Sequence, residues 1–196
     1  MTEHTPDHIL RQTYDDWAPG YDADVRDWGY VTPGRIAMAL RRVGANTEKL
    51  VLDVGCGTGL CGVALSAAGF GHIDGMDLSP AMLAEAEKKG VYRALWPADG
   101  VGLGHVERGD YPILVACGVV GLGEAPPELL GRMLEVLSPG GLLAVSLDAP
   151  TLADHAVIDR LDAACRAPDI EIAFEEEGPH LTGKGVTATV FVLRRT

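Results

Sequence analysis

Short, predominantly apolar runs alternate with amphipathic stretches along most of this chain. Residues 50–54 (Leu-Val-Leu-Asp-Val) and 113–117 (Ile-Leu-Val-Ala-Cys) are two such runs. Apolar segments of this length, bounded by Gly or Pro, read as strands buried on both faces. Helical spacing fills the intervals. A helix is expected over 60–68, after a glycine turn. Ser79 and Pro80 open a second as N-cap and first residue, with Glu85 and Lys89 spaced for an i,i+4 ion pair. A third covers 127–137 and stops at Ser138-Pro139-Gly140-Gly141. Upstream, Thr32-Pro33-Gly34 starts a helix through Arg42 with the threonine as cap, and 91–95 reads as a further strand. Near the end, Ile170, Ile172 and Phe174 alternate with Glu171, Ala173 and Glu175, a strand with one wetter face. A turn through Gly178-Pro179 and Gly183 then leads to a β-rich run over 186–193. Strand and helix alternating from 50 to about 166 predict an α/β architecture: a parallel sheet, helices on both faces, right-handed crossovers.

Candidate chemistry concentrates at the end of the first strand. Gly55, Gly57 and Gly59 follow Asp53 on every second position, and Asp77 closes the next apolar run. Glycines here let a ligand lie against the backbone, at the carboxyl end of a first parallel strand. Two cofactor readings compete. Gly57, Gly59 and Gly62 supply G-x-G-x-x-G with Asp77 twenty positions after Gly57, the dinucleotide pattern. Alternatively the operative unit is D-x-G-x-G-x-G, Asp53 through Gly59, with Asp53 attracting an ammonium group directly or through water. A pyrophosphate would be repelled by that carboxylate.

The second unit resembles the first motif of class I S-adenosylmethionine-dependent methyltransferases, and the resemblance extends from about Leu50 to Asp148. Asp77 and the following Leu-Ser-Pro-Ala-Met look like the ribose-binding acid and its helix. Asp99, after Trp96-Pro97-Ala98, stands where the family places an acid for the adenine amino group. Tyr14-Asp15-Asp16-Trp17-Ala18-Pro19-Gly20-Tyr21-Asp22 is similar to the opening of small bacterial methyltransferases, and the stretch through Tyr30 to the group named after the Williams-Beuren syndrome region methyltransferase. The resemblance implies a three-layer α/β/α Rossmann-like methyltransferase fold, with a mostly parallel seven-stranded sheet and an antiparallel last strand. It also implies S-adenosylmethionine as cofactor, S-adenosylhomocysteine as product, and a site built from Tyr14, Tyr21, Asp53, Gly55, Cys56, Gly57, Gly59, Asp77, Leu78, Met82, Ala98, Asp99 and Cys117. The N-terminal helix is then either a lid over the methionine end or a plain amphipathic cap anchored by Ile9, Leu10, Tyr14 and Trp17. After the fourth strand this chain departs from its relatives. Cys117-Gly118-Val119-Val120-Gly121-Leu122-Gly123-Glu124 carries no histidine or aromatic residue, so no general base transfers, and Glu124 reads as a solvated loop residue.

At 196 residues the chain fits one domain. Residues 1–32 form its helical lid, 50–148 its cofactor-binding core, and 149–196 a C-terminal helix and strands. Apolar residues make up 47% of the sequence, no run spans a bilayer, and the first residues lack an apolar signal core, so a cytoplasmic protein is expected. The net charge of −12 and the absence of a basic stripe argue against nucleic-acid substrates. Asp15, Asp16, Asp22, Asp24 and Asp27 either attract a cationic acceptor or form a solvated helix face. Cys56, Cys61, Cys117 and Cys165 lack metal-ligand spacing and read as reduced thiols. His4 and His8 read as solvated, and His72, His105, His155 and His180 as core or surface histidines. The expected activity is direct in-line methyl transfer to a small molecule, without a metal. A binding module that holds the cofactor without catalysis and a nicotinamide-dependent oxidoreductase are the other classes, and the acceptor and oligomeric state are not legible.

Overall fold

The computed structural model describes residues 5–99, 102–121 and 125–196; the expectations for His4 and Glu124 lie outside these residues. Seven strands form one sheet: β1 (Val51–Val54), β2 (Ile73–Asp77), β3 (Ala94–Pro97), β4 (Ile113–Cys117), β5 (Leu142–Asp148), β6 (Ile170–Leu181) and β7 (Val186–Arg195). Their order is β3-β2-β1-β4-β5-β7-β6. The first five run parallel, whereas β7 is antiparallel to both neighbours, β5 and β6. Strand order reverses between β1 and β4, which opens a crevice above their carboxyl ends.

Period-two alternation divides the core between two faces. On one side Val51, Ile73, Ile113 and Val115 pack against Ile36 and Leu40 of α2 (Thr32–Arg42) and Leu65 of α3 (Leu60–Ala67). On the other, Leu52, Val54, Leu114, Leu143 and Val145 meet Leu130 and Met133 of α5 (Glu128–Val136) and Leu161 of α7 (His155–Cys165). Burying each such side chain stabilises the fold by roughly 1.5–3 kcal/mol. The remaining helices are α1 (Asp7–Asp27), α4 (Pro80–Lys88) and the single turn α6 (Ala149–Leu152).

Several local expectations are corrected. The third strand occupies Ala94–Pro97, not 91–95. Ahead of it, Tyr92 and Arg93 turn their side chains to buried carboxylates: the Tyr92 hydroxyl donates to Asp53 at 2.7 Å, and the Arg93 guanidinium grips both Asp74 oxygens at 3.0 Å. Thr32 does not cap its helix. Val31 is the N-cap, and the Thr32 hydroxyl instead shares a 2.8 Å hydrogen bond with Nδ1 of His180, which is therefore partnered. Gly178-Pro179 is not a turn but lies inside β6. Arg35 donates to the carbonyls of Glu176, Pro179 and Ala188, stitching β6 to β7 there, and a Cβ at Gly178 would stand 2.9 Å from the Arg35 guanidinium carbon. The chain reverses later, through Thr182–Lys184 and Gly185.

Candidate functional site

The bend after β1 reads locally from its glycines. Gly55, Gly57 and Gly59 all have positive φ (65°, 53° and 91°), which an L side chain adopts only with strain. The three differ in what lies around them. A Cβ at Gly55 would come within 2.6 Å of Val119, and one at Gly59 within 3.0 Å of the Tyr92 ring, whereas nothing lies within 4 Å of the same position at Gly57. Gly57 thus leaves open space for a ligand, while Gly59, Gly62 and Gly75 make room for Tyr92, whose ring wedges behind the bend.

Asp77 ends β2 and faces this loop. Its Oδ2 accepts from the Gly57 N–H at 2.8 Å and its Oδ1 from the Ser79 N–H at 2.9 Å. Each oxygen has two lone pairs, so the clamped carboxylate retains acceptor capacity. Burial pushes its pKa up, against the backbone hydrogen bonds from Ser79 and Gly57, which pull it down. Ser79 caps α4 as expected, accepting from the Met82 N–H, with Pro80 at the first helical position.

A single cleft runs along the loop and beneath α1. It is lined by Tyr14, Tyr21, Gly55, Cys56, Gly57, Asp77, Leu78, Met82, Ala98 and Cys117, so ten of the thirteen expected residues come together. Asp53, Gly59 and Asp99 do not line it. Asp53 has no solvent exposure. Burial pushes its carboxyl up to about 7, against the Tyr92 hydrogen bond and assisted by the Asp77 charge, and its Oδ1 has no hydrogen-bond partner. Asp99 is exposed and sits beside Ala98 and Gly102, at the rim. Tyr30, Thr58 and Val119 line the cleft without having been singled out by sequence. Tyr30 was legible only as part of the Trp28-Gly29-Tyr30 motif.

Helix α1 closes the cleft from above, and the expected anchors are redistributed. Ile9 is 48% exposed, Leu10, Tyr14 and Trp17 are half-buried, and Ala18 and Val25 are the buried residues. Leu10 and Tyr14 cover the cleft, not the sheet. The aspartates of this helix are not all solvated. Asp15 accepts from the Ser79 hydroxyl at 2.5 Å and from the Ala81 N–H at 3.2 Å, and the Ser79 bond lowers its pKa. Asp22 accepts from the Thr58 hydroxyl at 2.5 Å and pairs with Lys89. Glu85 consequently pairs with Lys88, at 2.6 Å, and not with Lys89. Trp17 packs edge-on to Tyr21 at 4.7 Å and tilted against Trp28 at 5.6 Å, and its indole N–H donates to Asp24.

The cleft fits the nucleoside cofactor expected from the sequence, because Gly57 leaves room beside a carboxylate already oriented by two backbone donors. Comparison with known proteins agrees. Residues 51–141 match the family described as "Methyltransferase domain". Methyltransferase-like protein 27 of Homo sapiens is 33% identical over 163 residues, 77% of this chain and 65% of that protein, so the chain spans somewhat under two thirds of that relative. Among solved structures, the magnesium protoporphyrin IX methyltransferase of Synechocystis PCC 6803 with bound S-adenosylmethionine superposes with a TM-score of 0.69, covering all of both chains at 19% identity. The [4+2]-cyclase SpnF gives a TM-score of 0.71 at 17% identity, over 98% of this chain and 97% of that one. At these identities the superpositions carry the fold, and a cyclase on the same scaffold illustrates that fold alone does not fix a reaction. Residues 51–141 thus resemble a methyltransferase domain, on a fold whose strand order and glycine loop are those described above.

Proposed function

We propose that the protein moves a methyl group from S-adenosylmethionine to a small-molecule acceptor by direct in-line displacement. The observation that carries this reading is Asp77, held by the Gly57 and Ser79 amides at the open side of the loop, where it can accept from a ribose diol. The charge of the cleft supports the same cofactor over a dinucleotide. Every titratable side chain among the described lining residues is a carboxyl, a phenol or a thiol, a set that suits a sulfonium and opposes a pyrophosphate.

When bound, the cofactor supplies a methyl group already activated by positive sulfur. The chain's task is to orient and to exclude water. In this reading Asp77 holds the ribose, Leu78 and Met82 give apolar contacts, and Ala98 borders the adenine with Asp99 beside its amino group. The backbone of Gly55, Cys56 and Gly57 meets the methionine end. Asp53 acts from behind that wall through its charge, while Tyr14, Tyr21 and Cys117 close the region of the departing methyl. The lid pins Asp15 and Asp22 keep α1 over the cleft. The net charge of −12 supports a small molecule over a nucleic acid as acceptor.

Calorimetry with S-adenosylhomocysteine tests the reading. Binding is expected, and Asp77→Ala should weaken it at least tenfold while the variant remains folded. Thermal stabilisation by a nicotinamide dinucleotide, with none by S-adenosylhomocysteine at about 100 times an ordinary dissociation constant, where about 2.7 kcal/mol is expected, would overturn it.

A further inference from the structure

We infer, resting on the methyltransferase reading above, that the acceptor is a neutral apolar amine methylated on nitrogen, received by a tyrosine-walled pocket that favours its cationic product. The pocket is the part of the cleft between α1 and the carboxyl end of β4. Tyr30 enters it from the segment before α2. Its hydroxyl meets Cys117 Sγ at 3.3 Å, and a Cβ at Gly118 would lie 3.1 Å from that oxygen. The ring therefore occupies space that a side chain after β4 would otherwise fill. It is fixed there: His180 packs edge-on at 5.2 Å and is itself tied to Thr32 by a 2.8 Å hydrogen bond. Tyr14 and Tyr21 line the same cleft from α1, with Leu10, Val119 and Leu129 as apolar wall.

Three kinds of acceptor meet this pocket differently. A carboxylate or phosphate would bring negative charge into a cleft lined by Asp7 and Asp77, with no lining cation among the described residues, and its desolvation would go unanswered. A phenol or alcohol must lose its proton as the methyl arrives. Of the lining carboxylates, Asp77 is already engaged by the Gly57 and Ser79 amides, and Asp7 is exposed in the first turn of α1. The lining hydroxyls are poor proton acceptors, and burial pushes Tyr30 well above its ordinary pKa, which keeps it a protonated donor. A neutral amine needs neither. Its lone pair forms the nitrogen–carbon bond while the carbon–sulfur bond breaks with its electrons to sulfur. The positive charge passes from sulfur to nitrogen, and no proton moves in that step. A tertiary amine leaves as a quaternary ammonium; a secondary one sheds its proton to water on release. Tyrosine faces attract such a cation, and the acidic walls add to the attraction.

Equilibrium binding to protein saturated with S-adenosylhomocysteine separates these cases without the natural acceptor. The probes are benzyltrimethylammonium, its uncharged isostere neopentylbenzene, and phenylacetate. The ammonium should bind about tenfold tighter than the isostere, and phenylacetate weakest. Tyr30→Leu should erase the preference and Tyr30→Phe restore it. Equal affinity for the charged and uncharged isosteres in the unsubstituted protein, or tighter binding of phenylacetate, overturns the inference whether or not the variants fold. Normal S-adenosylhomocysteine binding in those experiments leaves the methyltransferase reading standing, whereas no heat with that nucleoside removes both.

Discussion

Asp53 makes a quantitative test of what the buried bend costs. It lies in β1 with no exposure, one oxygen bonded to Tyr92 and the other without a partner. Burial raises its carboxyl from 3.8 to about 7. Because the folded value exceeds the unfolded one, the folded chain binds this proton more tightly. The contribution of Asp53 to stability therefore falls as pH climbs from about 4 to about 7 and is flat above. At about 1.4 kcal/mol per unit, burying Asp53 costs about 4 kcal/mol at pH 8, where it is ionised in the fold, and about 2 kcal/mol at pH 5, where it takes up a proton on folding. Asparagine cannot ionise, yet its amide oxygen still accepts from the Tyr92 hydroxyl. Asp53→Asn should then gain on the wild type by roughly 2–3 kcal/mol between pH 5 and pH 8, on the order of 5–10 °C in melting temperature for a domain of this size. Thermal unfolding of both proteins across that range is the assay. The variant should also bind S-adenosylhomocysteine more weakly, since the charge behind the loop is gone. Parallel stability–pH curves for the two proteins would refute the reasoning, because they would mean that Asp53 ionises in the fold as easily as in water.

Other substitutions separate ligand space from packing space. Gly62→Ala places a Cβ 2.3 Å from the Tyr92 hydroxyl and should destabilise by about 1–3 kcal/mol in urea unfolding. Gly57→Ala meets open space, so its strain costs about 1 kcal/mol or somewhat more, while its loss of S-adenosylhomocysteine affinity should be disproportionately larger; an affinity loss no greater than that of Gly62→Ala would place the ligand elsewhere. Lys89→Met breaks the pair with Asp22 and should raise amide exchange in α1 with little change in the sheet. Unchanged exchange would show that Thr58 and Asp15 hold the lid unaided.

Features set by neighbours in the chain were legible. Ser79 and Pro80 announce their cap within three residues, the glycines of the bend lie together, and the apolar runs that became β1, β2, β4 and β5 needed no side-chain partner to be recognised. What escaped reading was set across the fold. Lys89 has a local acid at the favoured spacing in Glu85, yet Asp22, 67 positions away, takes it because α1 lies against α4. Tyr92 looks like a strand residue and serves as a wedge because three glycines leave a slot for it. Tyr30 becomes a wall of the cleft only through a cysteine 87 positions later. Gly178-Pro179 carries turn chemistry that three carbonyls gathered by Arg35 override.

The aromatic packing on α1 gives the molecule an optical reporter. Of three tryptophans in the sequence, Trp17 sits on the lid and Trp28 just past its end, in mutual contact, with the Trp17 indole bonded to Asp24. Intrinsic fluorescence excited at the indole band is therefore weighted toward this helix, and Trp96→Phe would leave a signal confined to it. Opening and closing over the cleft can then be followed in stopped flow without an attached dye.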